Sequence, residues 1–451
     1  VIPDTVMDSG TTYSVTSIAE GAFRDNALTS VIIGNSVTSI AEEAFRDNAL
    51  TSVTIPDSVT TIGESAFRTN FTLTSVIIGN SVTTIGESAF RDNATTSVII
   101  GNSVTTIGDN AFGGNALTSV IIPDSVTSIG AWAFAFNALT SVIIPDSVTS
   151  IGNNAFYDCN LTSMVIPDSV TSIGESAFEG NALTSVIIGN SVTTIGEFAF
   201  AFNALASVTI GNGVTTIGQN AFYENALASV TIPASVTTIE ATAFSDNALT
   251  SAHFGGNFEQ TLKGAAMFRG NPNLTTITYC EGTTGWPQDF SNGSTTITAT
   301  SIVCSPPDAP TIDSITPGAG QLTVAFTPGI DNGSPAYSYE ASCLRVVGSG
   351  RIRVDVVGPT SPITVPSMYN GDTYECFVTA TNIIGTSPAS ATSEPFVVGA
   401  PATVVPPVYG APPTPPTPPS SATPVPTSPI WLLGIMAGLL SLVGISKLRK
   451  A

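Results

Sequence analysis

AFRDNALTSVIIGNSVTSIAEE, residues 22–43, is spelled out about eleven times in near-identical form before Phe268. The copies follow one another every 22 residues with few slips, and each unit places a phenylalanine at the same point. These residues are Phe23, Phe45, Phe67, Phe90, Phe112, Phe134, Phe156, Phe178, Phe200, Phe222, Phe244 and, after a longer step, Phe268. A fixed period of this size indicates one small unit stacked on its own copies, so function should belong to an extended surface rather than to a pocket.

Composition and charge argue against a nucleic-acid-binding protein. Only 10% of the 451 residues are charged, compared with roughly 25% in ordinary globular proteins. Acids outnumber bases by 33 to 12, and three of the bases are Lys447, Arg449 and Lys450 at the C-terminus. A body this acidic repels phosphate backbones, so we expect no nucleic-acid partner.

The sequence also lacks the usual motifs of enzymes and metal sites. His253 is the only histidine, and the five cysteines form neither a CxxC pair nor a Cys/His cluster in the sequence, so zinc has no evident ligand set. There is no paired-carboxylate motif outside the repeats and no glycine-rich phosphate loop. We therefore expect a non-enzyme without metal or cofactor.

Within one repeat, two apolar sets predict the shape of the coil. Leu28, Val31 and Ile33 follow the strand spacing L-x-x-L-x-L. The second set, within residues 37–45, is too short and too β-branched for a long helix. Each coil should therefore have a short strand on one side and a turn-rich or 3₁₀ segment on the other.

An asparagine recurs three residues after most of the phenylalanines. The column consists of Asn26, Asn48, Asn70, Asn93, Asn115, Asn137, Asn181, Asn203, Asn225 and Asn247. Stacked asparagines can hydrogen-bond backbone groups that no strand ladder reaches. Cys159 takes this position in one coil, and we interpret it as a buried, unpaired member of the column rather than as a nucleophile.

The string IPDSVTSIGxxAFxx[NC]xL resembles the BspA-type leucine-rich repeats of bacterial and some protist surface proteins, over roughly residues 1–275. The resemblance implies a mainly β fold whose solenoid, about 12 coils of 22 residues, fills residues 1–300 together with a C-terminal cap. Departures include an extra residue at Phe71 and Thr95 in place of leucine. Cys280 and Cys304 bracket the end of the cap, and we expect them to form a disulfide.

Side chains alternate along a strand, so Ser30 and Ile32 should point outward, onto a concave sheet, if Val31 and Ile33 point inward. The column of Ile32 is apolar without interruption over six coils, about 25 Å at the usual strand spacing. We call this set the isoleucine file: Ile77, Ile99, Ile121, Ile143, Val165 and Ile187. Such an apolar surface predicts a docking site for protein or glycan. Alternatively, the file only stabilises the sheet by cross-strand packing, and its uniformity favours this second interpretation.

Three further columns are candidate sites. Aspartates after the strands could bind Ca²⁺, but turn formation is the commoner role of such residues (Asp57, Asp124, Asp146 and Asp168). Arginines of the first four coils stand beside aspartates and should be self-paired (Arg24, Arg46, Arg68 and Arg91). Bulky rings on a loop edge are candidate contact points (Trp132, Phe136, Phe198 and Phe202).

Residues 305–398 have short alternating strands separated by turn signals, typical of a β-sandwich. They resemble a bacterial fibronectin type III domain: Phe326 matches a core position of strand B, Tyr374 the tyrosine corner, and Asn382 with Gly385 the last turn. The usual strand-B tryptophan is missing. The resemblance places Cys343 and Cys376 on neighbouring strands, where we expect a disulfide, and it implies a spacer.

The C-terminal region predicts a membrane attachment. Residues 399–429 form a Pro/Thr/Ser-rich stalk, residues 430–446 an uncharged helix at the lower length limit for spanning a bilayer, and residues 447–451 a basic cytoplasmic tail. The layout resembles C-terminal sorting signals of Gram-negative bacteria, so the helix is either a permanent anchor or a processed segment. Because the sequence from Val1 already resembles part of a repeat, we expect a signal peptide that this sequence does not include.

Together these features predict a protein of the cell surface or outer membrane, exported and attached by its C-terminus. The leading interpretation is a non-catalytic display protein that binds protein or glycan ligands through the concave face of the repeats. The alternative is a structural scaffold of a surface layer that self-associates without a distinct ligand.

Overall fold

The computed structural model describes most of the chain up to residue 398. The described ranges are 1–257, 267–286, 289–291, 296–318, 320–330, 332, 336, 338–347, 352–358, 361–366, 368–382 and 384–398. The predicted stalk, anchor helix and tail, residues 399–451, lie outside these ranges. Within them there is no α-helix, and accordingly none that could cross a membrane.

Most solenoid coils hold two short strands. The first, from the Ser-Val-Ile-Ile segment, spans Ser52–Ile55, Ser75–Ile78, Ser97–Ile99, Ser163–Ile166, Ser185–Ile188, Ser207–Thr209, Ser229–Ile232 and Ser251–Phe254. The second spans Ser17–Ile18, Ser39–Ile40, Thr61–Ile62, Thr84–Ile85, Thr106–Ile107, Ser128–Ile129, Ser150–Ile151, Ser172–Ile173, Thr194–Ile195, Thr216–Ile217 and Thr238–Ile239. All pairs between coils are parallel, and each strand residue pairs with its equivalent in the next coil.

The second set of strands corrects the predicted turn-rich side of the coil. These strands form one continuous sheet of 11 strands, and the turn-rich segment, residues 64–69 in one coil, follows the strand rather than replacing it. Each Thr-Ile or Ser-Ile pair is buried at its isoleucine and exposed or half-buried at its first residue, as in Thr61–Ile62 and Ser39–Ile40. The repeat places this pair beside its own copy in every coil, so its backbone groups pair across coils.

The first set of strands, expected as one concave sheet, is divided. Its members form three separate sheets. One division lies at residues 119–122 and 141–144, which do not form strands, and the other lies between Ser207–Thr209 and Ser229–Ile232. Backbone hydrogen bonds still join the coils next to residues 119–122 and 141–144, including the bond from Ala138 N–H to Leu117 O at 2.9 Å. The coils therefore stay hydrogen-bonded to each other where these two segments form no strands.

The core between the two strand sets is a set of stacked columns. Ring centroids of successive phenylalanines from Phe23 to Phe244 lie 5.0–5.5 Å apart with nearly parallel planes. From Phe45 onward these rings are almost completely buried, with valine, isoleucine, leucine and alanine columns around them. Full burial of each such side chain contributes about 1.5–3 kcal/mol.

The asparagine column bonds successive coils together, as the sequence predicts. Asn137 Nδ2 donates to the carbonyl of Phe134 in its own coil, at 2.9 Å, and to that of Phe112 in the preceding coil, at 3.0 Å. Its Oδ1 accepts from the Leu117 N–H at 3.0 Å. The pattern extends to Asn271, beyond the predicted column. In its coil, Cys159 Sγ donates to the Phe134 carbonyl at 3.3 Å and is buried.

Both ends of the solenoid carry additional strands. At the N-terminal end, Thr5–Asp8 pairs antiparallel with Thr11–Ser14. At the C-terminal end, Ser251–Phe254 continues in parallel into Thr276–Cys280 and Thr296–Ile302, and Asp289–Ser291 closes the sheet in antiparallel. A disulfide joins Cys280 to Cys304 beside this last sheet.

The following module consists of two antiparallel sheets. One contains Thr311–Pro317, Leu322–Thr327 and Ile363–Val365, and the other Ser338–Val347, Arg353–Gly358, Thr373–Asn382, Gly385–Thr386 and Phe396–Val397. Phe326 and Tyr374 are buried in its core, and the Tyr374 hydroxyl accepts from the Tyr369 N–H at 3.2 Å. Cys343 and Cys376 face each other on directly paired strands and form a disulfide.

Substituting one ladder asparagine should measurably destabilise the solenoid. In Asn137→Ala the buried Leu117 N–H loses its acceptor, so the free energy of unfolding should fall by about 1–3 kcal/mol, measured by urea denaturation. Asn35→Ala, at an exposed turn position, is the matched control and should change it little. Equal effects of the two substitutions would contradict a structural role for the ladder.

Candidate functional site

The isoleucine file lies on the outward positions of the first strand set. Exposure and burial alternate along these strands, as in Ser163–Ile166, where Val165 is exposed between two buried neighbours. Ile77 pairs with Ile99 in one sheet, and Val165 pairs with Ile187 in the next. Ile187 is half-buried, whereas the other members are exposed.

The file is most exposed where the strand pairing stops. Ile121 is 85% exposed and Ile143 83%, compared with 40% for Ile77. These two side chains belong to the coils whose segments 119–122 and 141–144 do not form strands. Ile121 and Ile143 therefore expose most of their apolar surface to solvent although they do not belong to a paired strand. Adjacent exposed isoleucines of this kind form an apolar surface patch.

A cleft opens between these two coils. It has a volume of about 420 Å³ and is lined by Val120, Ile121, Val142, Ile143 and Pro145, with serines and Asp124 completing the wall. Val142, at the inward position of its segment, is half-buried, as are the equivalent Val98 and Val208. We call this feature the apolar cleft. An aliphatic or aromatic side chain of a partner would find a largely apolar wall here.

The predicted contact rings form two separate groups on the loop edge. Trp132 stacks on Phe136 with centroids 5.9 Å apart, and Tyr157 packs against both rings at 5.5 and 5.4 Å. Tyr157 was missed by the sequence analysis, although its position directly after Phe156 places it one coil beyond the other two. Phe202 meets Tyr223 at 5.3 Å. The structure therefore does not unite the four predicted rings into one patch.

The four rings predicted from the sequence occupy strained backbone positions. Trp132 has φ 59° and Phe136 φ 56°, while Phe198 and Phe202 have φ 54° and 55°. Equivalent positions in most other coils hold Asn, Asp, Ser or Gly, for example Asn110 and Gly114. A left-handed conformation is tolerated by Gly, Asn and Asp but costs of order 1–3 kcal/mol for a bulky side chain. Aromatic residues are therefore retained here against a local backbone preference.

The charged columns have structural partners. Arg68 and Arg91 both contact Asp92 at 3.3 Å, and Arg24 and Arg46 both pair with Glu43. This is the self-paired arrangement that the sequence predicts. Asp57 and Asp168 accept from backbone N–H groups of the next coil at 2.6 Å, as turn residues do. No group of three carboxylates lies within ligand distance in the part of the chain that the structure describes.

The structure brings together one histidine and two cysteines that form no motif in the sequence. His253, Cys280 and Cys304 have ligand atoms within 4.8 Å of one another, with the two cysteines in a disulfide. His253 Nε2 lies 3.7 Å from Cys280 Sγ, and Nδ1 lies 3.0 Å from Thr278 Oγ1. Burial lowers the pKa of His253 to about 4, so its ring is neutral at pH 7. No local motif indicates this group, because its residues come from three different strand regions.

Cys159 is the remaining cysteine and is not disulfide-bonded. Burial raises the pKa of its thiol to about 11, an effect that the neighbouring Asp158 carboxylate reinforces and backbone N–H donors oppose. The thiolate is the reactive form of cysteine, so a raised pKa suppresses nucleophilic chemistry at neutral pH.

The architecture defines a β-solenoid of the leucine-rich repeat class. The family described as BspA type leucine rich repeat region matches residues 16–139, 105–212, 133–250 and 171–298, which together cover more than half of the sequence. The chain belongs to this BspA-type leucine-rich repeat family. No curated protein matches the sequence.

Several crystal structures are similar to part of the chain. A leucine-rich repeat protein from Eubacterium ventriosum is 26% identical, with 51% of this chain and 67% of that chain covered and a TM-score of 0.35. A leucine rich cell surface protein from Faecalibacterium prausnitzii is 25% identical, with 62% and 86% covered and a TM-score of 0.33. A leucine-rich repeat protein from Bacteroides ovatus is 20% identical, with 62% and 87% covered and a TM-score of 0.28.

The folded protein should resist thiol reagents at pH 8. With a pKa of about 11, the Cys159 thiol is overwhelmingly protonated at that pH, and the other four cysteines are described in disulfides. Colorimetric thiol titration should therefore detect almost no reactive thiol in the folded chain and one equivalent after denaturation without reductant. Rapid reaction of one thiol in the folded protein would contradict the buried position of Cys159.

Proposed function

We propose that this protein is a non-catalytic surface protein that binds a partner protein through the isoleucine file. The single observation behind the proposal is the exposure of Ile121 and Ile143 at the apolar cleft, in the coils where strand pairing stops. Protein interfaces concentrate their binding energy in a few apolar anchors seated in desolvated pockets. The cleft offers such a pocket, with the rest of the file beside it.

A protein fits this surface better than a glycan does. Aliphatic side chains such as Ile121, Ile143 and Val165 gain free energy by burial against other apolar groups, about 1.5–3 kcal/mol for each side chain fully buried. A sugar hydroxyl placed against them would lose its hydrogen bonds to water without replacement. Binding of an extended partner along several coils is also the usual way in which a solenoid presents its surface.

The rings at Trp132, Phe136 and Tyr157 form a second candidate surface. The presence of Trp132 and Phe136 in strained backbone positions supports a role other than folding. A cleft of about 310 Å³ beside them is lined by Trp132 and Phe136 and by the polar groups of Arg91, Asp92 and Asn110. Flat aromatic surface next to carboxylate and amide groups suits a glycan, so we assign the glycan interpretation to this edge.

The remainder of the chain is proposed to position the solenoid at the cell exterior. The sandwich has the features of a fibronectin type III spacer: the buried Phe326, the Tyr374 hydroxyl bonded to upstream backbone, and Asn382 Oδ1 accepting from the Gly385 N–H at 3.1 Å. Residues 430–446 carry no charge and precede a basic end, which is the pattern of a membrane anchor or sorting segment.

Acidic substitutions in the isoleucine file should abolish adhesion without unfolding the protein. Ile121→Asp and Ile143→Asp each place a charge in the proposed interface but not in the core, so binding of protein-coated beads to target cells should fall at least tenfold. Ile32→Asp is the matched control, since Ile32 occupies the same column, is 64% exposed and lies outside the file.

The same assay separates the alternatives. Undiminished adhesion of both file variants, with native circular dichroism, would contradict the docking surface. Loss of adhesion in Trp132→Asn alone, which installs the residue of the neighbouring coils, would move the site to the ring edge. Concentration-dependent sedimentation of the unmodified protein that Ile121→Asp abolishes would instead support the self-associating scaffold.

The mature C-terminus should reveal the mode of attachment. If residues 430–446 form a permanent anchor, intact-mass measurement of protein from the membrane fraction should include Lys450. A processed sorting segment should give a mass ending near Pro426, with material attached to the new terminus. Full-length protein found only in the soluble fraction would contradict both forms of attachment.

A further inference from the structure

The strands at the C-terminal end of the solenoid bring three metal-binding side chains to one place. His253 pairs in register with Thr278 on the adjacent strand, and Cys280 follows two residues later on the same face of that strand. Cys280 in turn pairs with Ile302, two residues before Cys304. The strand register therefore sets the positions of His253 and Cys280, and the disulfide holds Cys304, just beyond the end of the third strand, beside them.

The separation between His253 Nε2 and Cys280 Sγ matches that of a tetrahedral zinc site. With Zn–S of about 2.3 Å and Zn–N of about 2.0–2.1 Å, tetrahedral geometry requires S···N separations of about 3.6 Å and an S···S separation of about 3.8 Å. His253 Nε2 lies 3.7 Å from Cys280 Sγ, and all three ligand atoms lie within 4.8 Å. The sulfurs are closer than zinc requires because the disulfide bonds them, and breaking that bond would let them separate.

The environment of His253 also suits a metal ligand. Its Nδ1 is held by Thr278 Oγ1 at 3.0 Å, which fixes the ring and directs Nε2 toward the sulfurs. Metal-binding histidines commonly have their second nitrogen bonded in this way. His253 and Cys304 are half-buried and Cys280 is buried, so an ion can approach from one side while the site stays largely enclosed.

We propose that His253, Cys280 and Cys304 form a redox-controlled zinc site, closed by the disulfide and opened by its reduction. A dithiol reductant transfers two electrons and two protons to the disulfide, giving two cysteine thiols and the oxidised cyclic disulfide of the reagent. Zn²⁺ then replaces the two thiol protons, which are released, and takes His253 as the third ligand. Water completes the fourth position, as in three-ligand zinc sites. The metal itself undergoes no redox change.

This site lies in the part of the solenoid next to the sandwich module and is independent of the isoleucine file. Thr209 and Thr231 occupy the column of His253 in the two preceding coils. The strand therefore does not require a histidine at this position. His253→Thr installs the residue found there in the two preceding coils and should leave the strand intact.

The test uses the full-length chain and Co²⁺ as a spectroscopic substitute for Zn²⁺. The protein is reduced anaerobically, freed of reductant and titrated with Co²⁺, whose bonds to thiolate give a charge-transfer absorption that carboxylates on the acidic surface do not produce. We expect one equivalent of this absorption in the reduced protein, none in the oxidised protein, and displacement of Co²⁺ by Zn²⁺. His253→Thr should weaken Co²⁺ binding at least tenfold, since loss even of an outer-shell partner costs this much.

Controls identify the thiols concerned. Cys280→Ser should abolish the absorption, whereas Cys343→Ser with Cys376→Ser should retain it. As a second measurement, Zn²⁺ should slow re-formation of the Cys280–Cys304 disulfide in air at least tenfold in the reduced wild type and not in His253→Thr. Absence of thiolate absorption in the reduced wild type, or binding that His253→Thr leaves unchanged, would overturn the proposal.

Discussion

Each ladder asparagine bonds two coils at once, and the rest of the solenoid depends on this arrangement. The amide of Asn137 donates to phenylalanine carbonyls of its own coil and of the preceding one, and its oxygen accepts from the Leu117 N–H. The turn that follows each phenylalanine leaves these groups unpaired by any strand, and buried backbone groups without partners are costly. The column therefore allows the phenylalanine rings to stack in a dry core at a constant spacing.

Constant spacing has consequences on both sides of the coil. It brings each Thr-Ile or Ser-Ile pair beside its own copy, so that 11 strands of only two residues form a continuous sheet. Such strands would not persist alone, because so few hydrogen bonds cannot offset the entropy of ordering them. Each coil therefore gains its hydrogen-bond partners from its neighbours, and at the C-terminal end additional strands continue the pairing beyond Ser251–Phe254.

The candidate functional features coincide with departures from this regularity. The isoleucine file is most exposed in the two coils that lack the first strand at residues 119–122 and 141–144. Trp132 and Phe136 occupy left-handed backbone positions where other coils have residues better suited to that conformation. At the C-terminal end, His253 interrupts a column of threonines beside the Cys280–Cys304 disulfide. Repetition determines the scaffold, and the local exceptions make one part of its surface different from another.

The sequence by itself determined the period, the buried columns and the role of the asparagines, because these depend on residue types that recur every 22 positions. The spacing of Leu28, Val31 and Ile33 predicted the first strand, but the short Thr61–Ile62 pair gave no recognisable strand signal, since its pairing depends on copies in other coils. Only the tertiary structure decided that the first strands divide near Ile121 and that Tyr157 joins Trp132. It also decided that His253 meets Cys280, because residues far apart in the chain become neighbours only when successive strands stack in register.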